Sequence, residues 1–349
     1  MGFAALAIAI GKRSVDWVGV LVNRVFLAAI AGGTFVCGLA SCAQDDCGLL
    51  ESALVADGLS QKVWSVCGTA LPTETNGLDD LMRRITIVDA NREQRLILLR
   101  ARYLLPFVIE GGIPRGHRDA FSLFVVQYDG ALRAEIDLPI SNARSPRLSP
   151  DGKRILVTGG EFTSVGNRHG VFISEIETAH WRLVHAVDAI AVKTLAAAWL
   201  GVDSIAVARS GEILVVPQRG GAEKSLFAGD APSSSPNGTL LFARSPLGEF
   251  RLFRSGTMKP MCESLTTKRV LPSVAWSDDS NYLWFAGDDG SRSFGSARAE
   301  LLDVKACRIV ASHRALAGSG VNGYQWLGRE ELKGIRAFDR RRQGQAVPQ

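Results

Sequence analysis

The chain has 349 residues, of which 46% are hydrophobic and 21% are charged, and its formal net charge is +5. This is an ordinary globular composition. Lysine and arginine are spread along the chain, without a basic stripe interleaved with aromatic residues and without zinc-finger spacing. The composition therefore argues against nucleic acid as a partner.

The N-terminal region reads as an export signal. Arg24 precedes an apolar run that begins at Val25, and Leu39-Ala40-Ser41-Cys42 follows that run. A charged start, a short apolar middle and small residues before a cut site are the three parts of a secretory signal. A plain transmembrane anchor and an ordinary signal with a chance cysteine are the alternatives. No other apolar stretch of the sequence is long enough to span a bilayer.

The tetrapeptide Leu39-Ala40-Ser41-Cys42 resembles the bacterial lipobox. The resemblance implies that residues 1–41 are a lipoprotein signal peptide, that Cys42 carries the lipid, and that residues 42–80 are an anchor and leader segment. Ala43 follows the cysteine where an aspartate would favour retention at the inner membrane. By the same resemblance we expect an outer-membrane lipoprotein that faces the periplasm. The long lead before Arg24 indicates a start codon placed too early, with translation beginning near Val20 or Val22.

Four cysteines remain if Cys37 leaves with the signal and Cys42 is acylated. An even number in an oxidising compartment permits disulfides, with three connectivities. We expect one bridge within the leader and one between successive sheets, the alternative for the second pair being buried free thiols. The expected pairs are Cys47 with Cys67 and Cys262 with Cys307. Their spacings do not resemble a metal site, and the sequence predicts neither a metal nor another cofactor.

Residues 82–100 read as a strand, a polar turn and a second strand. They lack a preceding pair of strands of their own. Further along, the turn-and-strand segment that begins at Ser149 recurs at Ser235 and at Ser277, at spacings of about two periods and one period of roughly 43 residues. Looser copies fall near Pro106, in residues 195–216 and in residues 321–338. Each copy predicts a strand, a tight turn and a strand.

The repeated Ser-Pro-Asp-Gly-Lys-Arg hairpin resembles the WD40-like repeats of TolB-type β-propellers, over about residues 80–338. The resemblance implies an all-β propeller, which we place over residues 81–338. The repeat period and the strands counted within it predict six four-stranded blades, with seven as the alternative. We expect the N-terminal strands of residues 82–100 to complete the last blade and close the ring. Trp residues at strand positions are expected to be blade core, and residues 339–349 a basic, disordered tail. These tryptophans are Trp199, Trp276, Trp284 and Trp326.

The expected binding surface is a pair of loops, residues 111–120 and residues 159–170, which join equivalent strands of neighbouring blades. Both loops carry arginine and histidine, which suit carboxylate or phosphate groups, so we expect an anionic partner there. The residues concerned are Arg115, His117, Arg118, Arg168 and His169. Solvated loop tips without a partner are the alternative.

Motifs with catalytic chemistry are weak in this sequence. Residues 318–323 match the dinucleotide fingerprint Gly-x-Gly-x-x-Gly, but a strand rather than a helix is expected after them, which favours a turn. Residues 287–293 have paired aspartates but lack the ligand spacing of a calcium loop. We assign no catalytic residue. The sequence predicts an envelope lipoprotein, held to the membrane by its lipid, whose propeller binds a protein or polymer. A propeller hydrolase, lyase or quinoprotein with a site in the central channel is the alternative.

Overall fold

The computed structural model describes residues 54–57, 63–67, 81, 85–108, 114–138, 140–163, 166–191, 194–266, 268–287, 298–314 and 324–345. The chain divides into two units, residues 1–48 and residues 49–349, and every described residue lies in the second. The export signal, the lipobox and Cys47 therefore lie outside the described residues, as do residues 318–323 and most of residues 287–293. In the described part of the chain, no helix has the length and apolar character needed to cross a bilayer.

Antiparallel strands make up most of the described chain. In chain order they are β1 (Leu54–Asp57), β2 (Val63–Ser65), β3 (Ile85–Asn91), β4 (Leu96–Val108), β5 (Pro114–Gln127), β6 (Leu132–Asp137), β7 (Ile140–Leu148), β8 (Arg154–Thr163), β9 (Gly166–Glu175), β10 (Trp181–Val187), β11 (Ala196–Leu200), β12 (Ser204–Arg209), β13 (Glu212–Pro217), β14 (Lys224–Ala228), β15 (Asp230–Ser234), β16 (Leu240–Arg244), β17 (Phe250–Arg254), β18 (Lys259–Met261), β19 (Val270–Trp276), β20 (Tyr282–Gly287), β21 (Arg298–Asp303), β22 (Arg308–Arg314) and β23 (Tyr324–Leu327). A 3-10 helix covers Glu263–Leu265, and helix α1 covers Arg329–Gln345.

The strands form five four-stranded sheets of consecutive strands, β3–β6, β7–β10, β11–β14, β15–β18 and β19–β22. Each first strand contacts the first strand of the next sheet, and β23 contacts both β19 and β3. The sheets are therefore blades arranged in a closed ring, which confirms the all-β propeller. A ring of this kind leaves only short sheet edges.

A buried serine explains why the turn sequence repeats. Ser149, Ser235 and Ser277 are all buried, and each side-chain hydroxyl accepts a hydrogen bond from the backbone N–H five residues later. The backbone N–H of each serine in turn donates to the carbonyl of that residue five positions later, at 2.9 to 3.0 Å. The hydroxyl thus satisfies a turn donor that would otherwise be buried without a partner. The predicted strand–turn–strand units are confirmed at these three places.

The predicted blade count and the predicted closing strands are wrong. The described residues form five four-stranded blades, and strands β1 and β2 share a three-stranded sheet with β23, in the order β2-β1-β23. Residues 82–100 do not close the ring, because β3 pairs with β4 and β4 pairs with β5, so both strands belong to the first blade. Strand β1 pairs with β23 instead, with Val55 opposite Trp326. Among the described residues this last sheet has three strands, and the chain continues from β23 into helix α1.

Helix α1 corrects the expectation of a disordered tail, since the helix includes residues 339–345. It packs on the first blade, where the rings of Phe338 and Phe124 lie 5.5 Å apart. Gly130, with φ of 84°, allows this close approach, because a Cβ there would lie 2.8 Å from the backbone nitrogen of Phe338. The apolar spacing of Ile335 and Phe338 suits a helix face. The sequence predicts strands over residues 321–338, but among the described residues of that range only Tyr324–Leu327 form a strand.

The Cys262–Cys307 disulfide is present, with a Cα–Cα distance of 4.9 Å. It joins the end of the fourth blade to the β21–β22 turn of the fifth blade. Cys67 is also in a disulfide, and its partner lies outside the described residues.

Candidate functional site

The carboxyl ends of the innermost strands β3, β7, β11, β15, β19 and β23 meet at one end of the ring. Because every innermost strand runs in the same direction, the residues that end these strands surround one cavity, of about 40 Å³. We call this cavity and its lining the channel mouth. Its polar and aromatic lining includes Asp89, Asn91, Arg147, Trp199, Ser233, Ser234, Trp276, Asp278, Gln325 and Trp326.

A partly buried acid and an arginine join the first two blades at the channel mouth. The Asp89 carboxylate accepts a hydrogen bond from the Leu148 backbone N–H at 2.7 Å, and Arg147 Nη1 lies 3.7 Å from its other oxygen. Arg147 also donates to the Val88 carbonyl at 3.0 Å. Burial raises the pKa of Asp89 to about 6, although the positive charge of Arg147 opposes the shift. Raised carboxyl pKa values in clefts are a feature of functional sites.

Two side-chain donors tie further strand ends together. The Asn91 amide donates to the backbone carbonyls of Ser149 and Pro150, at 3.0 Å each. Trp199 Nε1–H donates to the Arg147 carbonyl at 3.1 Å. These bonds cross from one blade to the next, so they fix the shape of the channel mouth as well as the ring.

Two other donors in the lining are buried without a hydrogen-bond partner among the described residues. They are Trp276 Nε1 and Gln325 Nε2, on residues that are 8% and 7% exposed. Buried polar groups in native proteins are paired in the great majority of cases, and an unsatisfied donor costs about 1–3 kcal/mol. The arrangement therefore suits a ligand or partner group that brings oxygen acceptors to the channel mouth.

A second acidic network lies beside the channel mouth, where helix α1 begins. Glu331 is buried and its carboxyl accepts a hydrogen bond from the Tyr128 hydroxyl. Burial and the nearby Asp278 carboxyl raise the pKa of Glu331 to about 7, and burial beside Glu331 also raises the pKa of Tyr128. Arg92 Nη1 lies 3.8 Å from Asp278 on its other side. Glu331 thus holds helix α1 on the ring best when it is protonated.

The raised pKa of Glu331 predicts a pH-dependent stability. A carboxyl whose pKa rises on folding from about 4.5 to about 7 contributes stability that is complete below pH 4.5 and is lost as the pH rises through 7. Glu331→Gln should therefore match the wild type near pH 4 and exceed its free energy of unfolding by about 3 kcal/mol at pH 8. Urea unfolding at both pH values measures this difference.

Glu330→Gln is the matched control. Glu330 is exposed and its pKa is lowered by Lys333, so this change should leave the loss of stability at high pH in place. Equal pH dependence in the wild type and Glu331→Gln would contradict a protonated Glu331. The pKa of Asp89 is also raised, so the stability of Glu331→Gln should still decrease somewhat as the pH rises.

The predicted basic residues lie on strands and not on loops. Arg115, His117 and Arg118 belong to β5, and Arg168 and His169 belong to β9. The β4–β5 and β8–β9 pairs extend as long hairpins to Val108–Pro114 and Thr163–Gly166. Both hairpins follow the second strand of a blade, so they emerge from the same end of the ring, opposite the channel mouth.

Arg168 is half-exposed and donates to Glu161 on the facing strand of its own hairpin. Part of the positive charge that was expected to attract an anionic partner is therefore already neutralised by Glu161. Whether the basic residues contact a partner stays a prediction.

The channel mouth was not predicted from the sequence, although some of its residues were expected to lie in the blade core. Trp199, Trp276, Trp284 and Trp326 are all buried, as expected of blade core, yet all but Trp284 also line the cavity. The sequence does contain a signal for this site, namely the position of the lining residues relative to the repeated turns. Several of them directly precede or follow the repeated turn serine, which marks the end of an innermost strand.

No protein-family model matches the sequence, and no curated protein does. Among solved structures, TolB from Acinetobacter baumannii has 11% identity and a TM-score of 0.44, with 78% of this chain and 65% of that chain covered. A putative TolB from Agrobacterium tumefaciens has 14% identity and a TM-score of 0.42, with 75% and 88% covered. Hydrazine synthase from Kuenenia stuttgartiensis has 17% identity and a TM-score of 0.37, with 52% and 51% covered. This chain therefore spans less than two thirds of the length of the A. baumannii TolB.

Proposed function

We propose that this protein is an envelope lipoprotein, anchored through Cys42 and facing the periplasm, whose propeller is a scaffold that binds another envelope protein at the channel mouth. The observation that carries the binding function is the pair of buried donors, Trp276 Nε1 and Gln325 Nε2. These donors lack hydrogen-bond partners in the described part of the chain, and their residues line one cavity.

The size of the cavity favours a protein over a small molecule. Sites for small organic ligands usually measure 300–1,000 Å³, whereas the channel mouth has about 40 Å³. That volume holds a few water molecules or the end of one side chain. A partner protein that inserts a carboxylate, a carboxamide or a main-chain carbonyl would supply the acceptors that the two donors lack.

The disulfides support the export part of the proposal. Cys262 and Cys307 are bonded to each other, and Cys67 is in a second bridge. Such bonds form and persist in oxidising compartments such as the bacterial periplasm. The lipobox supports the anchor, and Ala43 after the cysteine supports the outer membrane. The basic residues at the opposite end of the ring are a further proposed contact, with an anionic partner or polymer.

Cys42→Ser is expected to abolish labelling of the protein by a fatty-acid analogue in cells, because the thiol of Cys42 is the acceptor of the first lipid group. Cys37→Ser is the matched control. It lies in the signal itself and should leave the labelling unchanged. Labelling that persists in Cys42→Ser would show that the protein is not a lipoprotein anchored at this residue.

The binding surface is tested by photocrosslinking in the cell envelope. A photoreactive residue in place of Ser234, in the channel-mouth lining, should give a discrete protein adduct. The same residue in place of Leu247, which is 70% exposed on the opposite end of the ring, should not give that adduct. Adding Gln325→Leu should reduce the Ser234 adduct several-fold, because it removes one of the two donors without removing side-chain volume. An adduct yield that is the same with and without Gln325→Leu would contradict binding at the channel mouth.

A further inference from the structure

A larger groove lies next to the channel mouth, between the fourth blade and the fifth blade. Its volume is about 560 Å³, and turns of both blades line it. We call it the interblade groove. The fourth blade contributes Asn237–Leu240, Arg254–Gly256 and Met261, and the fifth contributes Ser280, Asn281, Val304 and Lys305.

The interblade groove and the channel mouth share their dividing turns. Ser235 and Pro236 line the channel mouth, and the next two residues, Asn237 and Gly238, line the groove. In the fifth blade, Asp278 lines the channel mouth and Ser280 lines the groove. An extended chain that lies in the groove would therefore reach the channel mouth at its inner end.

The walls of the groove are held at a fixed separation. The Cys262–Cys307 disulfide joins the two blades directly beside Met261 and Val304. The Asn237 backbone N–H also donates to the Ser280 hydroxyl at 3.2 Å, across the same gap. A site whose walls are already positioned loses less conformational entropy when a ligand binds.

The charge of the groove is one-sided. Arg254 and Lys305 line it, and none of its described lining residues is acidic. Lys259 lies directly opposite Arg254 in the β17–β18 pair. Like charges opposite each other destabilise a sheet, and within the described chain none of these three cations forms an ion pair. A negatively charged ligand would remove that repulsion.

We propose that the interblade groove binds an extended acidic segment of the partner protein, which runs along the groove toward the channel mouth. The proposal rests on the proposed function, because it assumes a protein partner at this end of the ring. Carboxylates of the segment would pair with Arg254, Lys259 and Lys305. An apolar side chain would pack on Leu240, Met261 and Val304.

The probe is a fluorescein-labelled peptide of sequence Glu-Glu-Leu-Glu-Glu, titrated with the purified protein and followed by fluorescence anisotropy at low ionic strength. The test variant carries Arg254→Glu, Lys259→Glu and Lys305→Glu. The control carries Arg219→Glu, Lys224→Glu and Arg340→Glu, which change the net charge equally at exposed positions outside the groove. We expect roughly tenfold weaker binding by the test variant and little change for the control. A Lys-Lys-Leu-Lys-Lys peptide should not bind the wild type.

Equal binding by the wild type and the test variant would overturn the proposal, and so would equal weakening by the control, which would indicate a response to net charge alone. Vesicles of phosphatidylglycerol provide a third arm. If they compete with the peptide in the wild type, and the test variant abolishes vesicle binding, the groove recognises a lipid surface and the proposal is wrong.

Failure of the groove and failure of the proposed function give different results. If the wild type and the groove variant bind the peptide equally while the Ser234 adduct forms, the scaffold function stands and the groove is not its site. If the peptide binds the groove but no Ser234 adduct forms in cells, the groove binds acidic segments and the channel-mouth function fails.

Discussion

A protein that carries both Cys262→Ala and Cys307→Ala should unfold with a free energy about 3–4 kcal/mol lower than that of the wild type. The bridge closes a sequence separation of 45 residues, and its removal restores the corresponding conformational entropy to the unfolded chain. Alanine keeps the site apolar, which suits the packing of Cys262 among Leu265, Val270 and Val304. Urea unfolding followed by tryptophan fluorescence measures the loss.

Reduction provides an independent check of the same bridge. A reductant should lower the unfolding midpoint of the wild type, and it should lower the midpoint of the double variant much less. Any decrease in the midpoint of the double variant on reduction is due to the second bridge, which includes Cys67. A wild type whose midpoint is the same with and without reductant would contradict a stabilising Cys262–Cys307 bond.

Leu54→Ala should destabilise the protein by about 2–5 kcal/mol, although Leu54 lies far from most of the ring in sequence. Its side chain is 1% exposed and packs in one cluster with Ile85, Leu327 and Phe338. Strand β1 is the partner of β23, so loosening β1 also exposes the edge of the strand that completes the ring. Chemical unfolding, together with light scattering for aggregation, measures both consequences.

Leu132→Ala is the matched control, because the same side chain at position 132 is 49% exposed at the start of β6. It should change the free energy of unfolding by less than about 0.5 kcal/mol. If Leu54→Ala is no more destabilising than Leu132→Ala, then β1 does not hold the ring closed.

Local chemistry determined the parts of the fold that could be predicted. The turn serines Ser149, Ser235 and Ser277 satisfy backbone donors within five residues, so their sequence pattern is visible wherever that turn occurs. The strands on either side follow from apolar, β-branched residues next to those turns. The propeller class was predictable from these repeats, and the pairing of Cys262 with Cys307 was one of the alternatives that cysteine number and spacing left open.

The closing strands could not be predicted, because their identity depends on contacts between residues far apart in the chain. Val55 pairs with Trp326, and nothing near either residue indicates the other. Residues 82–100 read equally well as closing strands or as the first two strands of a blade. The decision comes from β5 and β6, which follow them and complete a four-stranded sheet.

The sequence by itself determined the all-β repeat and the repeated serine turns, because each depends on residues that lie close together in the chain. The export signal with its lipobox stays a prediction from the sequence. Only the tertiary structure decided the ring of five four-stranded blades and one three-stranded sheet, the helix over residues 329–345 and the channel mouth. The channel mouth takes Asp89, Arg147, Trp276 and Gln325 from different blades. Their proximity, and the absence of partners for two of their donors in the described structure, arise only when the ring brings the ends of the innermost strands together.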